Sequence, residues 1–324
     1  MPSVKETVLF EALPEEQQSW PVLSFSQLSM LERCRYQWYL AYKLEYAKSE
    51  QSDALGLGSL VHEGLAEYYR AKQQGRTAEW FQQVRLRGMA EEWFNRHGDR
   101  AMPLASHATW LLDRYLNDCE YFDQGHQVIH VEHHFLIPIK SARGRDMLLQ
   151  GYVDLVTIDS RGRVWIWDHK TGGWWGANEI LMHPQIPMYM IALDSVGLES
   201  RHQIVNQISG YDYKKPSNVP TEKLFRRDEL TRTDTELVSM ARGVLEWCDE
   251  WLDEREASRP PRRSQDRHNC KYCDFVEPCS LALKGIPVEL TLEGDSEFRQ
   301  KNTPFEVIRT PSEFVIEGYE DEYS

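Results

Sequence analysis

The chain has 324 residues and 41% of them are hydrophobic, which is enough to bury the core of one large domain. Its net charge of −14 argues against a surface that binds nucleic acid everywhere, although a local basic groove stays compatible with it. The N-terminus lacks the pattern of a secretory signal and no apolar run has the length of a membrane span, so we expect a cytoplasmic protein of a bacterial cell or a phage-infected host.

The first part of the sequence is helical in pattern. Residues 1–20 are expected to be a flexible leader, and Ser24 or Ser26 suits the N-cap of an aromatic-rich buried helix. A glycine-rich turn at 56–58 is expected to open the next helix, which carries His62. Helical patterns continue to residue 125, so a helical insertion is predicted at about 64–125.

The pattern then changes from helical to alternating. Strands are predicted at Val128–Ile137, Met147–Ile158 and Val164–Asp168. The turn at 160–163 makes the last two strands a hairpin. A helix follows at 184–195, where Pro187 is tolerated only if the helix begins near Pro184.

The remaining elements complete an α/β fold with a mixed central sheet flanked by helices. Two further strands are expected at Ile204–Tyr213 and Lys223–Arg227, and a helix at 234–256. The folded domain is predicted at 21–283. Beyond it, 284–324 is a C-terminal extension with short strand-like pieces (Val288–Leu292, Phe305–Ile308 and Phe314–Ile316) and an acidic tail.

Two carboxylates and a lysine meet on the predicted hairpin. Side chains alternate along a strand, so Asp168 and Lys170 share a face while Trp167 and His169 take the other. The turn brings Asp154 of the partner strand beside them. Carboxylate oxygens are ligands that Mg²⁺ and similar hard cations prefer, and a lysine alongside suits a water or a phosphate. The pattern predicts metal-assisted phosphodiester hydrolysis, and Glu132 on the preceding strand also faces the site.

Four motifs occur in one order along the chain: Gly58 with His62, Gly151 with Asp154, Asp168 with Lys170 and Thr171, and Gln185 with Tyr189. In this order the sequence resembles the RecB-type branch of the PD-(D/E)XK nuclease superfamily, from about Ser24 to Cys279. The resemblance implies a restriction-endonuclease-like core and a Mg²⁺- or Mn²⁺-dependent exonuclease that acts on DNA ends or single strands. Recombination, repair, replication and CRISPR-type adaptation are the pathways it suggests.

The resemblance also assigns roles. His62, Asp154 and Asp168 are implied metal ligands, together with the backbone carbonyl of His169, and Lys170 is the implied catalytic lysine. Gln185 and Tyr189 are implied to contact DNA, although residues four apart on a helix are also a common packing pair. Taken alone, a histidine such as His62 is more often packed in a helix than a ligand, and its place in the series of motifs makes it a ligand candidate. A non-catalytic DNA-binding subunit and an electron carrier are the alternative functions.

Cysteines form a second pattern. Cys270, Cys273 and Cys279 have the spacing C-x2-C-x5-C, which suits a metal ion or an iron–sulfur centre, and Cys34 is the best candidate for a fourth ligand. Resemblance to AddB and to CRISPR-associated adaptation nucleases implies a 4Fe–4S cluster that joins the two ends of the domain, with zinc as the alternative. Cys119 and Cys248 lie in helical patterns and are expected in the core.

Contacts with DNA are predicted from aromatic and basic residues. Trp174 and Trp175 follow the lysine strand in a glycine-rich loop and suit stacking on unpaired bases. Phosphates are expected at Lys214, Lys215, Arg226, Arg227 and the basic segment 259–271. The chain has no P-loop motif, so a helicase would be a separate partner, as would a recombination protein or an integrase.

Overall fold

The structure is a computed structural model that describes residues 13–48, 53–97, 101–119, 123–211, 218–294 and 297–300. In these ranges the helices are α1 (Phe25–Arg33), α2 (Arg35–Trp38), α3 (Asp53–Gln73), α4 (Ala78–Trp80), α5 (Arg87–His97), α6 (Ala101–Cys119), α7 (Ala177–Met182), α8 (Gln185–Ser195), α9 (Asp234–Glu256), α10 (Arg267–Lys271), α11 (Val276–Leu283) and α12 (Val288–Gly294). The strands are β1 (Val22–Ser24), β2 (Tyr46–Lys48), β3 (His126–Lys140), β4 (Asp146–Asp159), β5 (Val164–Gly172), β6 (His202–Ser209), β7 (Phe225–Thr231) and β8 (Phe298–Gln300).

One mixed sheet organises the chain. Its strand order is β1-β4-β5-β6-β7, and β3 pairs with β4 as well. The pairs β1–β4 and β5–β6 are parallel, and the other pairs of this sheet are antiparallel. Strands β2 and β8 form a separate antiparallel pair. The prediction of an α/β fold with a mixed central sheet flanked by helices is therefore confirmed.

Two apolar layers cover the faces of the sheet. Trp165 and Trp167 of β5 pack in a layer with α3, α5 and α6, whereas Ile166 packs in a second layer with α1, α8 and α9. This division follows from the alternation of side chains along β5. Both faces of the strand are buried, so its position in the sheet is fixed from above and below.

Strands β4 and β5 separate at one point. Their ladder ends at the pair Leu155–Trp167, whereas β5 continues beside β6 as far as Gly172. Strand β1 pairs with β4 only at Val22–Ser24 opposite 148–150. Residues 151–154 of β4 therefore lie between two ladders, at a gap in the sheet where side chains can converge.

Helix α3 differs from the sequence prediction. It begins at Asp53, so the glycines expected to form a turn at 56–58 are helical, and the boundary expected at residue 64 falls inside the same helix. Close packing requires glycine at position 64 of this helix, whereas a Cβ on Gly58 would make an ordinary contact. A Cβ on Gly64 would lie 2.1 Å from Leu112 Cδ1 of α6, and one on Gly58 would lie 4.0 Å from Thr171 Cβ of β5. Small residues let α3 approach its neighbours closely.

The later elements agree with the sequence in part. Helix α9 has the predicted bounds, and α8 begins at Gln185, which places Pro187 in the first turn, where it is tolerated. The strand expected at Val288–Leu292 is wrong: this segment is α12, because Val288 and Leu292 are four residues apart and are buried together on one helical face.

The two ends of the chain lie partly outside the described residues. In the leader predicted for residues 1–20, Leu13 is buried against Leu136 and Leu148 of the sheet. Residues 1–12 are not described, nor are the acidic tail and the strands expected at Phe305–Ile308 and Phe314–Ile316. The predicted division into domains stays a prediction.

Candidate active site

Side chains from four elements meet where β4 and β5 separate. Asp154 comes from β4, Asp168 and Lys170 from β5, His62 from α3 and Glu132 from β3. The end of the β4–β5 ladder places Asp154 next to Asp168, as the hairpin pattern predicts. The glycine contact between α3 and β5 brings His62 to the same place.

Three side chains form a compact group of possible ligands. His62, Glu132 and Asp154 each offer an atom within 4.8 Å of the other two, and His62 Nδ1 lies 3.7 Å from Asp154 Oδ2. In the described part of the chain, no other histidine, cysteine or acidic residues form such a group of three or more. One imidazole and two carboxylates match the ligands of Mn²⁺ and Mg²⁺.

Asp168 lies beside Lys170, as the alternation of the strand predicts, and is not a member of the group of three. Its two carboxylate oxygens contact Lys170 Nζ at 2.9 and 2.8 Å, and 8% of its side chain is exposed. Lys170 Nζ also donates to Gln185 Oε1 at 3.1 Å, and Gln185 Nε2 contacts the Tyr189 hydroxyl at 3.4 Å. The residues of the last two motifs therefore form one hydrogen-bonded row that holds the lysine.

His169 connects the two strands through its backbone. Its amide N–H donates to Asp154 Oδ2 at 2.6 Å. Its ring stacks on Tyr69 at an interplanar angle of 7° and lies edge-on to His62. Burial lowers the pKa of His169 well below the ordinary histidine value, so the imidazole is neutral.

The acids of the group hold protons more tightly than ordinary carboxylic acids. Burial raises the pKa of Asp154 to about 6, partly opposed by His62. Burial and the nearby charge of Asp154 raise the pKa of Glu132 to about 8, partly opposed by Arg70. The two carboxylates are unfavourable to ionise together, and a bound cation would stabilise both negative charges.

Glu132 is the ligand candidate that the sequence supports least. Its backbone has φ of 49°, a left-handed conformation that is uncommon for glutamate, and the register of β3 shifts just before it, between Val128 and His130. The neighbouring pairs Val131–Leu155 and His133–Val153 place Glu132 opposite Asp154. This irregular backbone directs toward Asp154 the Glu132 side chain, which the sequence also predicts to face the site.

The loop after β5 is fixed to the sheet beside the lysine. The backbone amide of Trp175 donates to Gln207 Oε1 at 2.6 Å, and the centroid of the Trp175 ring lies 5.1 Å from Lys170 Nζ. Trp174 is 40% exposed at the same edge. Of the two tryptophans predicted to contact DNA, Trp174 is thus the open one and Trp175 packs against the lysine.

The basic residues predicted to bind phosphate differ in their placement. Arg227 is wrong as a surface contact, because it is buried in an ion pair of 2.7 Å with Asp123. Arg226 pairs with Asp228. Lys214 and Lys215 lie outside the described residues.

The cysteines separate into two kinds. Cys119 and Cys248 are buried in the two apolar layers, as predicted. Cys34 Sγ accepts from the Ser264 amide and Cys279 Sγ from Arg263 Nε, both at 3.3 Å. All six thiols are free.

Cys273 belongs to the same neighbourhood as Cys34 and Cys279. Burial raises the pKa of Cys273 to about 11, with further contributions from these two cysteines. The three cysteines pack against one apolar cluster around Tyr36 and Phe275. Cys270 lies one turn away, where its carbonyl accepts from the Cys273 amide at 3.2 Å, and it is exposed.

None of the described helices combines the length and apolar character that crossing a membrane requires. Comparison with curated proteins gives no match. Among solved structures the chain is similar to SSO0001 (14% identity, 57% of this chain and 77% of that one, TM-score 0.33). It is also similar to a "Putative exonuclease" from Eubacterium rectale (14% identity, 82% and 92%, TM-score 0.45) and to Scheffersomyces stipitis Rai1 (11%, 88% and 81%, TM-score 0.24). These likenesses are too distant to carry an argument about activity.

A family comparison covers the gap in the sheet and the elements around it. The sequence model described as the PD-(D/E)XK nuclease superfamily matches residues 22–280, from β1 to α11. The match includes the carboxylates of β4 and β5, the lysine and the mixed sheet that brings them together. With most of its length matched, the chain belongs to the PD-(D/E)XK nuclease superfamily.

Proposed function

We propose that the protein is a metal-dependent deoxyribonuclease of the RecB-type branch that hydrolyses phosphodiester bonds at the gap between β4 and β5. One observation carries the proposal. In a chain of this superfamily, the His62, Glu132 and Asp154 group lies directly beside a lysine that is already held in place. Candidate ligands and a candidate catalytic amine therefore occur together at the gap between β4 and β5.

Mg²⁺ or Mn²⁺ fits this group. His62 and Asp154 would hold the ion, with Asp168 and the carbonyl of His169 as the remaining ligands of the proposal and Glu132 as an additional one. A divalent ion at such a site neutralises phosphate charge and lowers the pKa of bound water. Such an ion would stabilise the group, because burial makes it unfavourable for Glu132 and Asp154 to carry their negative charges.

Lys170 supplies the protein's own part of the chemistry. Its ammonium is held by Asp168 and Gln185, and its Nζ lies 5.1 Å from the centroid of the Trp175 ring. Held in this way, it orients the attacking water or the phosphate without a search over side-chain rotamers. Gln185 and Tyr189, which the resemblance assigns to DNA contact, act first on the lysine.

Action on DNA ends or single strands is the favoured mode. Trp174 supports it, since an exposed indole next to the lysine suits stacking on an unpaired base. The mode itself rests on the resemblance to exonucleases of the RecB-type branch. A helicase, recombination or integrase partner stays a prediction.

We also propose that Cys34, Cys270, Cys273 and Cys279 hold a 4Fe–4S cluster, with zinc as the alternative. The donor set supports a thiolate centre. Cys34 and Cys279 accept hydrogen bonds from consecutive residues of one linker, Arg263 and Ser264, and Cys273 lies in the same neighbourhood. Amide and guanidinium donors stabilise thiolate ligands of a cluster.

A cleavage assay tests the catalytic proposal. Purified protein is incubated with end-labelled linear and with circular DNA, each single- and double-stranded, with Mg²⁺, Mn²⁺ or a chelator. We expect metal-dependent loss of linear substrate, with single-stranded circles resistant. Lys170→Ala should reduce the rate about 10²- to 10⁴-fold, the usual contribution of one acid–base group.

The control for this variant is Lys140→Ala, since Lys140 is an exposed lysine at the other end of the sheet. It should cut DNA like the wild-type protein. An unchanged rate in Lys170→Ala would contradict the mechanism. Binding of DNA without metal-dependent cleavage by the wild-type protein would favour the alternative, a non-catalytic DNA-binding subunit with a structural cluster.

A further inference from the structure

A buried group of polar side chains contacts the His169 ring. We refer to this group as the Asn206 cluster. It draws on α3, α6, the turn before β3, β6 and β7, and its members are Tyr69, Tyr115, Asp123, Asn206 and Arg227. Its side chains are almost entirely shielded from solvent: Asn206 is 0% exposed and Asp123 2%. Buried polar groups of this number require a fully directed set of hydrogen bonds.

Arg227 determines which atoms of the cluster donate hydrogen bonds and which accept them. A guanidinium has donors and no acceptor, so every partner must present an oxygen to it. Arg227 pairs with Asp123 at 2.7 Å, and its Nε donates to Asn206 Oδ1 at 3.3 Å. The Asn206 amide therefore turns its oxygen toward the arginine, and its nitrogen is fixed on the opposite side.

The nitrogen of Asn206 then selects the form of His169. Asn206 Nδ2 lies 3.0 Å from His169 Nδ1 and 3.2 Å from the Tyr115 hydroxyl. An amide nitrogen is a donor only, so His169 Nδ1 must accept. The proton of the neutral imidazole is consequently on Nε2.

The same residue touches the proposed metal site through its backbone. The His169 amide donates to Asp154 Oδ2 at 2.6 Å, while its ring lies between Tyr69, stacked at 5.9 Å, and the edge of His62 at the same centroid distance. Because these contacts hold the His169 ring, they also restrict the orientation of the His169 amide.

We propose that Arg227 and Asn206 are positioning residues for the nuclease site, which act by fixing the Nε2–H tautomer and the ring of His169 and thereby the direction of its N–H to Asp154. The proposal rests on the proposed function for its catalytic consequence. Its structural part, the tautomer, stands independently of any activity.

The tautomer is measured first, on the metal-free wild-type protein. Two-bond ¹H–¹⁵N correlation spectra distinguish a protonated ring nitrogen from an accepting one, and His169→Gln identifies the His169 signal by its loss. We expect Nδ1 to show the shift of an acceptor and Nε2 that of an N–H. A proton on Nδ1 would overturn the proposal, whatever the protein does to DNA.

The positioning role is measured with a matched pair of variants. Asn206→Leu removes the donor to His169. Gln203→Leu is the control, because Gln203 is also a buried amide of β6 that accepts from an arginine, Arg232, at 3.1 Å, and it lies away from the site. Both variants replace an amide by an apolar side chain of similar size, so both should lose thermal stability.

Mn²⁺ affinity without DNA separates the two variants. We expect calorimetry to show binding weakened about 10- to 100-fold in Asn206→Leu, the usual range for residues that orient a ligand, and unchanged in Gln203→Leu. The cleavage rate kcat should fall in Asn206→Leu while KM for DNA stays the same. Equal affinity in the two variants would overturn the positioning role. Absence of Mn²⁺ binding and cleavage in the wild-type protein would instead overturn the proposed function.

Discussion

At the scale of single residues, the site contains two buried acids that are costly to ionise together. Glu132 and Asp154 face each other across β3 and β4, and each has a raised pKa, about 8 and about 6. Lys170 opposes the rise in the pKa of Asp154 only in part, since its ammonium also pairs with Asp168. The metal-free site therefore retains a proton near neutral pH, and a cation must displace it.

This balance predicts that metal binding depends on pH. An acid with a raised pKa is protonated below that value, so Glu132 competes with the metal below pH about 8 and Asp154 joins it below about 6. Mn²⁺ affinity should fall by up to about tenfold per unit as pH decreases from 8 to 6, as expected for one released proton. Calorimetric titrations across this range measure the slope.

Glu132→Gln is the matching variant for this prediction. The amide has nearly the shape of the acid and does not titrate. It should bind Mn²⁺ more weakly at pH 8.5 and show little change between pH 8 and 6. A wild-type affinity that is independent of pH would contradict the assignment of Glu132 to the site.

Strand spacing predicts part of this site from sequence. The alternation of β5 predicts the Asp168–Lys170 contact, and the hairpin turn predicts that Asp154 lies beside them. Glu132 depends on an irregular backbone, and Asn206 depends on the approach of α6 and β7 from elsewhere in the chain. Such contacts have no local pattern, because they arise only when distant elements pack.

At the scale of elements, helix α3 packs closely on α6 because one of its contact positions is a glycine. Gly64 faces α6 so closely that a Cβ would lie 2.1 Å from Leu112 Cδ1, and Leu112 is itself buried. His62 precedes this contact by half a turn. The helix packing that requires Gly64 therefore also determines the position of His62, the proposed metal ligand.

Gly64→Ala is therefore expected to destabilise the protein, against the ordinary preference of helices for alanine. Forcing an extra methyl group into a packed contact costs about 1–3 kcal/mol. Gly243→Ala in α9 is the control, because a Cβ there meets nothing within 4 Å and the change should stabilise by about 0.5–1 kcal/mol. Urea unfolding of both variants measures the difference.

The glycines of α3 also explain why the sequence pattern predicts a turn where the structure has a helix. A glycine-rich segment before a histidine predicts a turn when no partner is known, and the helix is found only when α6 and β5 are seen to approach it. If Gly64→Ala proved as stable as Gly243→Ala, the close packing of α3 on α6 would be wrong.

At the scale of the whole molecule, the beginning of the fold is fastened to its end. Arg35 of α2 pairs with Glu254 of α9 at 2.7 Å and also with Glu250. Trp251 donates to Gln27 of α1 at 3.0 Å. Cys34 lies beside the linker that follows α9. These contacts bring the segment that carries Cys34 to the linker before Cys270, although the cysteines of the described residues do not form a compact group of ligands.

The proposed centre makes a measurable prediction at this scale. Cys34→Ala should lower the metal content of the purified protein and its melting temperature, because a centre that holds both ends stabilises the folded state. Elemental analysis for iron and zinc, with visible absorption of anaerobic samples, measures the content.

Cys248→Ala is the control for this variant, since Cys248 is a fully buried core thiol. It should lose stability through the cavity it leaves but keep the metal. Wild-type metal content in Cys34→Ala would contradict the role of Cys34 as a ligand.

The sheet pairing of β1 has a consequence for synthesis. Strand β1 lies beside residues 148–150, and α1 and α2 rest on a helix that begins only at Asp234. On the ribosome these first segments must therefore wait, with their apolar side chains uncovered, until more than half of the chain has been made. Such distant pairings form slowly. The nascent protein should accordingly depend on chaperones until α9 emerges, so that β1, α1 and α2 are among the last elements to reach their final contacts.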